Sequence, residues 1–175
     1  MRWLTLTFLL LGCASLDPGT ARQLAGLDPL TADPQDFVVS VDLPNGIGLQ
    51  PGSVVLSLQA RSAASGQTGG EWSLDRVNTV DGLVSYRVAP GDLPDLQAVQ
   101  SMAAKWEAED PDGTDGSLSL SVGPCRLPNV TLDKDLSVSA FLTLETDGPM
   151  LPVLRDVSVR RFLSGEALRN LPECP

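Results

Sequence analysis

The stretch FVVSVDL, residues 37–43, decides the fold class of this chain. Its apolar residues at positions 37, 39, 41 and 43 alternate with Val38, Ser40 and Asp42. A β-strand sends successive side chains to opposite faces of a sheet, so this alternation predicts a strand with one buried face. The turn formers Pro44-Asn45-Gly46 follow directly and predict the end of the strand.

The same alternation recurs further along the chain, in short segments that turn formers separate. Further alternating segments lie at residues 54–60, 118–122, 136–144 and 157–159. Residues 72–88 predict a hairpin around the turn Val80-Asp81-Gly82, and the polar, glycine-rich segment 62–70 predicts a loop. Several short strands joined by Gly, Pro and Asp turns predict a mainly β fold, an antiparallel β-sandwich of the immunoglobulin-like kind.

Two helices are predicted to interrupt the strands. Apolar residues at 96, 99, 103 and 106 recur at helical spacing, and Pro111 stops the pattern. Asp92 precedes this stripe and is predicted to cap the helix. Because such a stripe usually packs on a core, we interpret it as a core contact. A shorter helix is predicted after Ser164, just before Cys174.

The first thirteen residues have the parts of an export signal. Arg2 is followed by the apolar run 3–11, and Gly12 precedes Cys13. This pattern resembles the lipobox of bacterial lipoproteins, in which Cys13 would take a thioether-linked diacylglycerol and the bond after Gly12 would be cut. The run is shorter than the roughly 20 apolar residues of a spanning helix. Residues 1–12 are therefore predicted to be a lipoprotein signal peptide.

The resemblance also predicts where the protein is located. Ala14 follows the cysteine, where an aspartate would resemble an inner-membrane retention signal, so we expect a lipid anchor in the outer membrane and a body facing the periplasm. The alternative is an ordinary secretory signal cut near Ala14, which would release a periplasmic or secreted protein. Residues 13–34 are expected to form the lipid anchor and a tether or loosely packed arm, and residues 35–175 a single domain.

Cys125 and Cys174 are predicted to form a disulfide. Exported domains in an oxidising compartment normally pair their thiols, and this pair would tie the end of the chain to the middle of the fold. Closing a loop of about 50 residues stabilises a fold by ~4 kcal/mol on the chain-entropy account. The alternative is two buried, reduced cysteines. A metal site at this pair is disfavoured because the chain has no histidine.

The composition limits the partners. The chain has 22 acidic and 12 basic residues, with a formal net charge of −10. Such a surface repels nucleic acid and anionic lipid head groups, so no nucleic-acid partner is expected, and the lipid chain would have to hold the protein at the membrane. Arg160-Arg161 is an isolated basic pair, which we interpret as two solvated charges on a strand.

The acidic segment 109–116 contains the candidate metal ligands. Asp110, Asp112 and Asp115, broken by glycines, superficially resemble the loops that wrap calcium with carboxylate oxygens. Pro111 interrupts the pattern, and no glutamate follows at the spacing of an EF-hand. Because Asp and Gly also dominate ordinary turns, a tight helix-to-strand turn is the preferred interpretation and no cofactor is expected, with calcium as the alternative.

The sequence nominates no catalytic residues. Histidine, the usual general base near neutral pH, is absent, neither Lys105 nor Lys134 lies in a Ser-x-x-Lys pattern, and no spacing singles out a carboxylate pair. We therefore expect a binding or structural role in the cell envelope, with docking on another envelope protein through a sheet face or edge. The rival hypothesis is a hydrolase or ligand carrier with its site near residues 110–116, for which calcium dependence is one option. Phe141 would mark an apolar surface spot if its face of the sheet is solvated.

Overall fold

The computed structural model of the chain describes residues 30–80, 82–132, 135–145 and 148–175, with backbone alone for residues 78–80. Short 3-10 turns lie at Pro34–Asp36 and Val159–Arg161. The strands are β1 (Val38–Asp42), β2 (Ile47–Leu49), β3 (Val55–Ser62), β4 (Gly66–Val80), β5 (Leu83–Val88), β6 (Thr114–Ser121), β7 (Pro124–Arg126), β8 (Ser137–Thr143) and β9 (Leu151–Ser158). The helices are α1 (Leu93–Glu109) and α2 (Gly165–Arg169).

The strands form one large and one small antiparallel sheet. Seven strands follow the order β6-β3-β4-β5-β1-β8-β9, and β2 pairs with β7 in a separate two-stranded sheet. The predicted mainly β, antiparallel fold is therefore confirmed, together with the inserted helix α1 and the short C-terminal helix α2. The two sheets are unequal in size, and the edges of the large sheet are β6 and β9.

Strand β1 confirms the prediction from its alternating sequence. Phe37, Val39 and Val41 are buried in the main core. Ser40, which the alternation places on the opposite face, is buried as well. Its Oγ lies 2.9 Å from the Oγ of Ser85 on β5, and this hydrogen bond offsets the cost of removing a hydroxyl from water.

Helix α1 packs its apolar stripe on the large sheet. The predicted core residues of this stripe are all buried: Leu96, Val99, Ala103 and Trp106. Asp92 occupies the N-cap position, but the predicted side-chain capping bond is absent because its backbone is helical (φ −94°, ψ −13°), whereas a capping residue needs an extended backbone. Asp95 in the first turn instead accepts a hydrogen bond of 3.0 Å from Nε1 of Trp72 on β4.

The predicted loop 62–70 is mostly strand. The turn between β3 and β4 is confined to residues 63–65, and β4 begins at Gly66. A Cβ built on Gly70 would lie 2.5 Å from the ring of Trp72, and one on Gly69 would collide with the side chain of Gln59. Both glycines are strand residues, and larger side chains lie over their backbone. These contacts compensate for the weak strand propensity of glycine.

The end of the predicted tether is packed on the domain. Leu30 and Ala32 contact the main core, and Nε2 of Gln100 donates a hydrogen bond of 3.2 Å to the carbonyl of Ala32. The last residues of the predicted tether therefore pack against the domain. Cys13 and the predicted signal peptide lie outside the described residues. Within the described ranges, no helix combines the length and hydropathy needed to cross a bilayer.

The C-terminal segment is tied to the small sheet. The sulfurs of Cys125 on β7 and Cys174 lie 2.09 Å apart, at bonding distance, as predicted, and Cys125 is fully buried. The amide of Cys174 also donates to the carbonyl of Arg126 at 2.9 Å. Helix α2 begins after Ser164, whose Oγ accepts a hydrogen bond of 3.1 Å from the amide of Ala167. A second core cluster holds this region together: Ile47, Leu136, Val159 and Leu168.

Candidate functional site

An apolar groove of about 390 Å³ is lined by both edge strands of the large sheet. Leu120 comes from β6 and Leu154 from β9. Further side chains come from β1, β2, β7 and β8, from the residues that follow β1 and β6, and from the segment after β9. Because β6 and β9 stand at opposite ends of the strand order yet line one groove, the sheet must curl around it. The small β2–β7 sheet also contributes to the lining.

The side chains that line the groove become more exposed from its floor to its rim. The buried floor consists of Val41, Ile47, Ala140 and Val159. Half-buried side chains, Leu154 among them, form the walls. A graded exposure of this kind is typical of a concave site that opens to solvent, rather than of a gap sealed inside the core.

The rim of the groove exposes three apolar side chains. Leu120 is 38% exposed, Val122 46% and Phe162 55%. Isolated exposed apolar residues are common on proteins, but these three border one depression whose lining continues inward without a polar side chain among the described residues. Their exposure is therefore part of a continuous apolar surface.

The chemistry of the lining selects what the groove can hold. All fourteen of its described lining residues are aliphatic, aromatic or proline. A polar group buried there without a hydrogen-bond partner would cost several kcal/mol, about 2–7 by transfer measurements. The groove therefore suits hydrocarbon, and its described side chains provide neither a nucleophile nor a general acid or base.

Irregular pairing on the edge strand positions Leu154. The β8–β9 register shifts on both sides of the pair Ala140–Leu154. Asp156 has a positive φ of 47°, and its amide donates a hydrogen bond of 3.0 Å to Oγ of the buried Ser139. Bulges of this kind bend an edge strand and redirect its side chains, and here they flank a residue that lines the groove.

Two arginines lie close to the chain segment that contributes Val159 and Phe162 to the groove. Arg160 follows the floor residue Val159 in a 3-10 turn and precedes Phe162 by two positions. A Cβ built on Gly165 would lie 3.8 Å from Nη1 of Arg160 and 3.8 Å from Nη1 of Arg169, so both guanidinium groups approach this glycine. The predicted strand location of Arg160 is wrong, because the chain turns into a 3-10 helix at Val159 after β9 ends.

The acidic segment forms the predicted turn between α1 and β6. Oδ1 of Asp110 accepts a hydrogen bond of 3.0 Å from the amide of Gly113, as local turn geometry requires. Asp112 and Asp115 are exposed, and the described residues contain no group of three or more His, Cys, Asp or Glu positioned to hold a metal ion. The turn interpretation thus has direct structural support that the calcium alternative lacks.

A smaller cavity of about 230 Å³ lies next to this turn, where the rival hypothesis placed a hydrolase site. Glu107 is its one ionisable lining residue among those described, and Oγ1 of Thr114 is buried without a hydrogen-bond partner. One carboxylate beside a hydroxyl does not form an acid–base pair. The cavity therefore provides no catalytic arrangement from its described side chains.

Phe141 is half-buried rather than exposed. It lies on β8 opposite Ser40 of β1 and Pro152 of β9, and it is not part of the groove lining. The apolar surface predicted at this position is thus partly covered. The exposed apolar residues that share one site are instead those of the groove rim.

Comparison with family models, with curated proteins and with solved structures finds no match for this chain. A function is therefore proposed from the geometry of the groove and from the sequence pattern at residues 1–13.

Proposed function

We propose that this protein is a lipid-anchored binding protein of the cell envelope. Acyl chains on Cys13 would anchor it in the outer membrane, and its folded domain would face the periplasm. The observation that carries the binding role is the apolar groove between β6 and β9. Its volume of about 390 Å³ falls in the range of small-molecule sites, roughly 300–1,000 Å³. Its lining is suited to apolar contact and not to bond cleavage.

The sequence supports the proposed anchor. The run that ends at Gly12-Cys13 resembles a lipobox, and the net charge of −10 would keep the unmodified surface away from anionic lipid. Two or three acyl chains would make membrane attachment stable, since each buried methylene contributes about 0.8 kcal/mol. Cys13 would thus supply the attachment that the rest of the chain does not favour.

A second candidate role is docking on an envelope protein through the outer edge of β6. This strand ends the large sheet, and its serines alternate with leucines along an exposed stretch. Exposed edges of this kind add strands from partner chains. Gly116→Pro would remove one amide on the side of β6 that faces away from β3 and so block such pairing, while leaving the groove lining intact.

The binding role is tested with N-phenyl-1-naphthylamine, a neutral dye that fluoresces in apolar sites. The purified full chain should bind it saturably, one dye per chain. The double variant Leu120→Glu, Val122→Glu should weaken binding at least tenfold, because it places two carboxylates on the rim. The matched control is Met102→Glu, Met150→Glu, which adds the same charge at exposed apolar residues outside the groove lining. Equal binding by both double variants would refute the binding role.

The proposed anchor is tested separately by fractionating cells. Cys13→Ser should move the protein from the membrane fraction to the soluble fraction, whereas Ser15→Ala should leave it in the membrane. Intact mass of the purified protein should show the acyl chains, the cleavage point and the disulfide together. A Cys13→Ser protein that partitions as before would overturn the anchor and leave the groove argument standing.

A further inference from the structure

The groove combines apolar walls with two arginines close to one of its lining segments, and this combination points to a ligand class. We infer that it binds a single hydrocarbon chain carrying an anionic head group, with the chain along the floor and the head group beside Arg160 and Arg169. This inference rests on the proposed binding function of the groove and names its ligand. The occupant is a single-chain amphiphile rather than a protein segment.

The size of the groove argues for one chain. A methylene group is close in size to a water molecule, whose share of liquid volume is about 30 Å³. The groove volume of about 390 Å³ therefore holds on the order of a dozen methylenes. A two-chain phospholipid would leave one chain in water.

The lining argues for a hydrocarbon chain without polar groups along its length. The described side chains offer dispersion contact along the whole depth, from Phe162 at the rim to the buried Val41, and no hydrogen-bonding side chain with which to orient a polar ligand. Ligands with polar groups along their length, such as sugars or peptides, would lose hydrogen bonds to water without replacement. A simple alkyl chain makes no hydrogen bonds to water and therefore loses none on binding.

The charge close to that lining segment argues for an anionic head group. The protein carries a net charge of −10, yet the segment 155–169, which includes groove residues, contains four arginines and two acidic residues. Both Arg160 and Arg169 approach Gly165. Guanidinium groups form strong, charge-assisted hydrogen bonds with carboxylates and phosphates. This local reversal of charge complements an anion held at the mouth of the groove.

The chain part of the inference is tested by calorimetric titration of the purified full chain with alkyl carboxylates of increasing length. Each added methylene should tighten Kd by up to about fourfold until the groove is full, near twelve carbons, after which Kd should level off. Adsorption to an open surface would instead continue to strengthen with length, and that result would overturn the single-chain groove. The Leu120→Glu, Val122→Glu variant should lose the length dependence.

The head-group part is tested with twelve-carbon probes that differ in charge. Dodecanoate and dodecyl phosphate should both bind about tenfold more tightly than dodecanol, and dodecyltrimethylammonium should bind most weakly. The variant Arg160→Glu, Arg169→Glu should abolish this ranking, whereas the control Arg61→Glu, Arg87→Glu, with the same change of charge at exposed arginines, should keep it. An identical Kd for all four probes would overturn the anionic head group.

The outcomes separate this inference from the function on which it rests. If the neutral dye binds in the groove but alkyl chains show neither a length limit nor a charge preference, the ligand class is wrong and the binding role stands. If the Leu120→Glu, Val122→Glu variant changes neither dye nor alkyl binding, the groove is not the site and both proposals fail. If a defined envelope protein blocks the dye while dodecanoate does not, the occupant is a protein and the inference fails.

Discussion

Trp72 of β4 donates its indole N–H to Oδ2 of Asp95 at 3.0 Å and so joins the large sheet to the first turn of helix α1. Asp95 is exposed, whereas Trp72 is buried. The bond therefore satisfies a buried donor with a carboxylate at the surface. The start of α1 is thus held by this bond to Asp95, and not by the predicted side-chain capping bond from Asp92.

Removing this acceptor should destabilise the domain. Asp95→Ala leaves the indole N–H of Trp72 without its partner, so we expect the free energy of unfolding to fall by about 1–3 kcal/mol. Asp95→Asn keeps an oxygen at the same position and should retain most of the stability. Asp92→Ala should have little effect, because the Asp92 side chain makes no capping bond. Urea unfolding measures all three, and a larger loss for Asp92→Ala than for Asp95→Ala would contradict this assignment.

The disulfide should contribute strongly to stability. Cys125 and Cys174 are separated by 49 positions, and a cross-link of that span lowers the entropy of the unfolded chain by an amount worth ~4 kcal/mol. The variant Cys125→Ala, Cys174→Ala should therefore unfold at a much lower urea concentration than the oxidised protein. The wild-type protein, measured with and without a reducing agent, provides a matched comparison of the same sequence with and without the disulfide. An unfolding midpoint that does not move on reduction would show that the bond constrains nothing.

Gly48 on β2 should be intolerant of a side chain because of the disulfide. A Cβ there would lie 2.8 Å from Sγ of Cys174 and 3.3 Å from Cδ2 of Leu127. We expect Gly48→Ala to cost about 1–3 kcal/mol, in line with overpacked cores. Gly91→Ala is the control, since a Cβ there meets open space.

A double-mutant cycle identifies the cause of that cost. In the Cys125→Ala, Cys174→Ala background the obstructing sulfur is gone, so the penalty of Gly48→Ala should shrink. An unchanged penalty would mean that the backbone conformation of Gly48, and not the disulfide, forbids the substitution.

Tyr86 should give the protein an alkaline limit to its stability. Burial raises the pKa of the Tyr86 phenol above 10.0, although Arg76 opposes the shift. The folded state thus holds the proton more tightly than the unfolded state. The resulting stability is fully present below about pH 10 and is lost as the pH rises through the folded pKa.

Absorbance can follow this titration directly. Tyr86 is the sole tyrosine of the chain, so the phenolate signal reports on it alone. We expect the midpoint in the folded protein to exceed that in urea. Tyr86→Phe should remove this contribution to the alkaline loss of stability. Equal midpoints in the folded and urea-unfolded protein would contradict the effect of burial.

The sequence predicts those strands and helices whose apolar residues recur with the period of the element and are buried in the fold. Strand β1, helix α1 and helix α2 follow from periodicity and turn formers, and their apolar faces are buried as expected. Strands β2 and β7 have three residues each, too few for a period-two pattern to appear. The sequence predicts a loop at the start of β4 because Gly69 and Gly70 are typical turn residues, and the position of the Trp72 ring over Gly70 cannot be inferred from the sequence.

The groove could not be predicted, for a physical reason. Leu120 and Val122 alternate with serines just as buried strand residues do, and only the curl of the sheet decides that they border an open cavity. The lining comes from six strands, from the residues that follow β1 and β6, and from the segment after β9, so no local window contains it. Phe162, next to the Arg160-Arg161 pair, was the available sequence signal, because a large apolar side chain beside two charges is typical of an exposed segment.

The most direct test of the groove as an alkyl-chain site is photoaffinity labelling with a dodecanoate that carries a diazirine near the end of its chain. We expect saturable labelling that unlabelled dodecanoate competes away, with the modified residues in segments 118–124 and 151–163. Labelling confined to the exposed face of α1 around Met102, or labelling that dodecanoate does not displace, would contradict it.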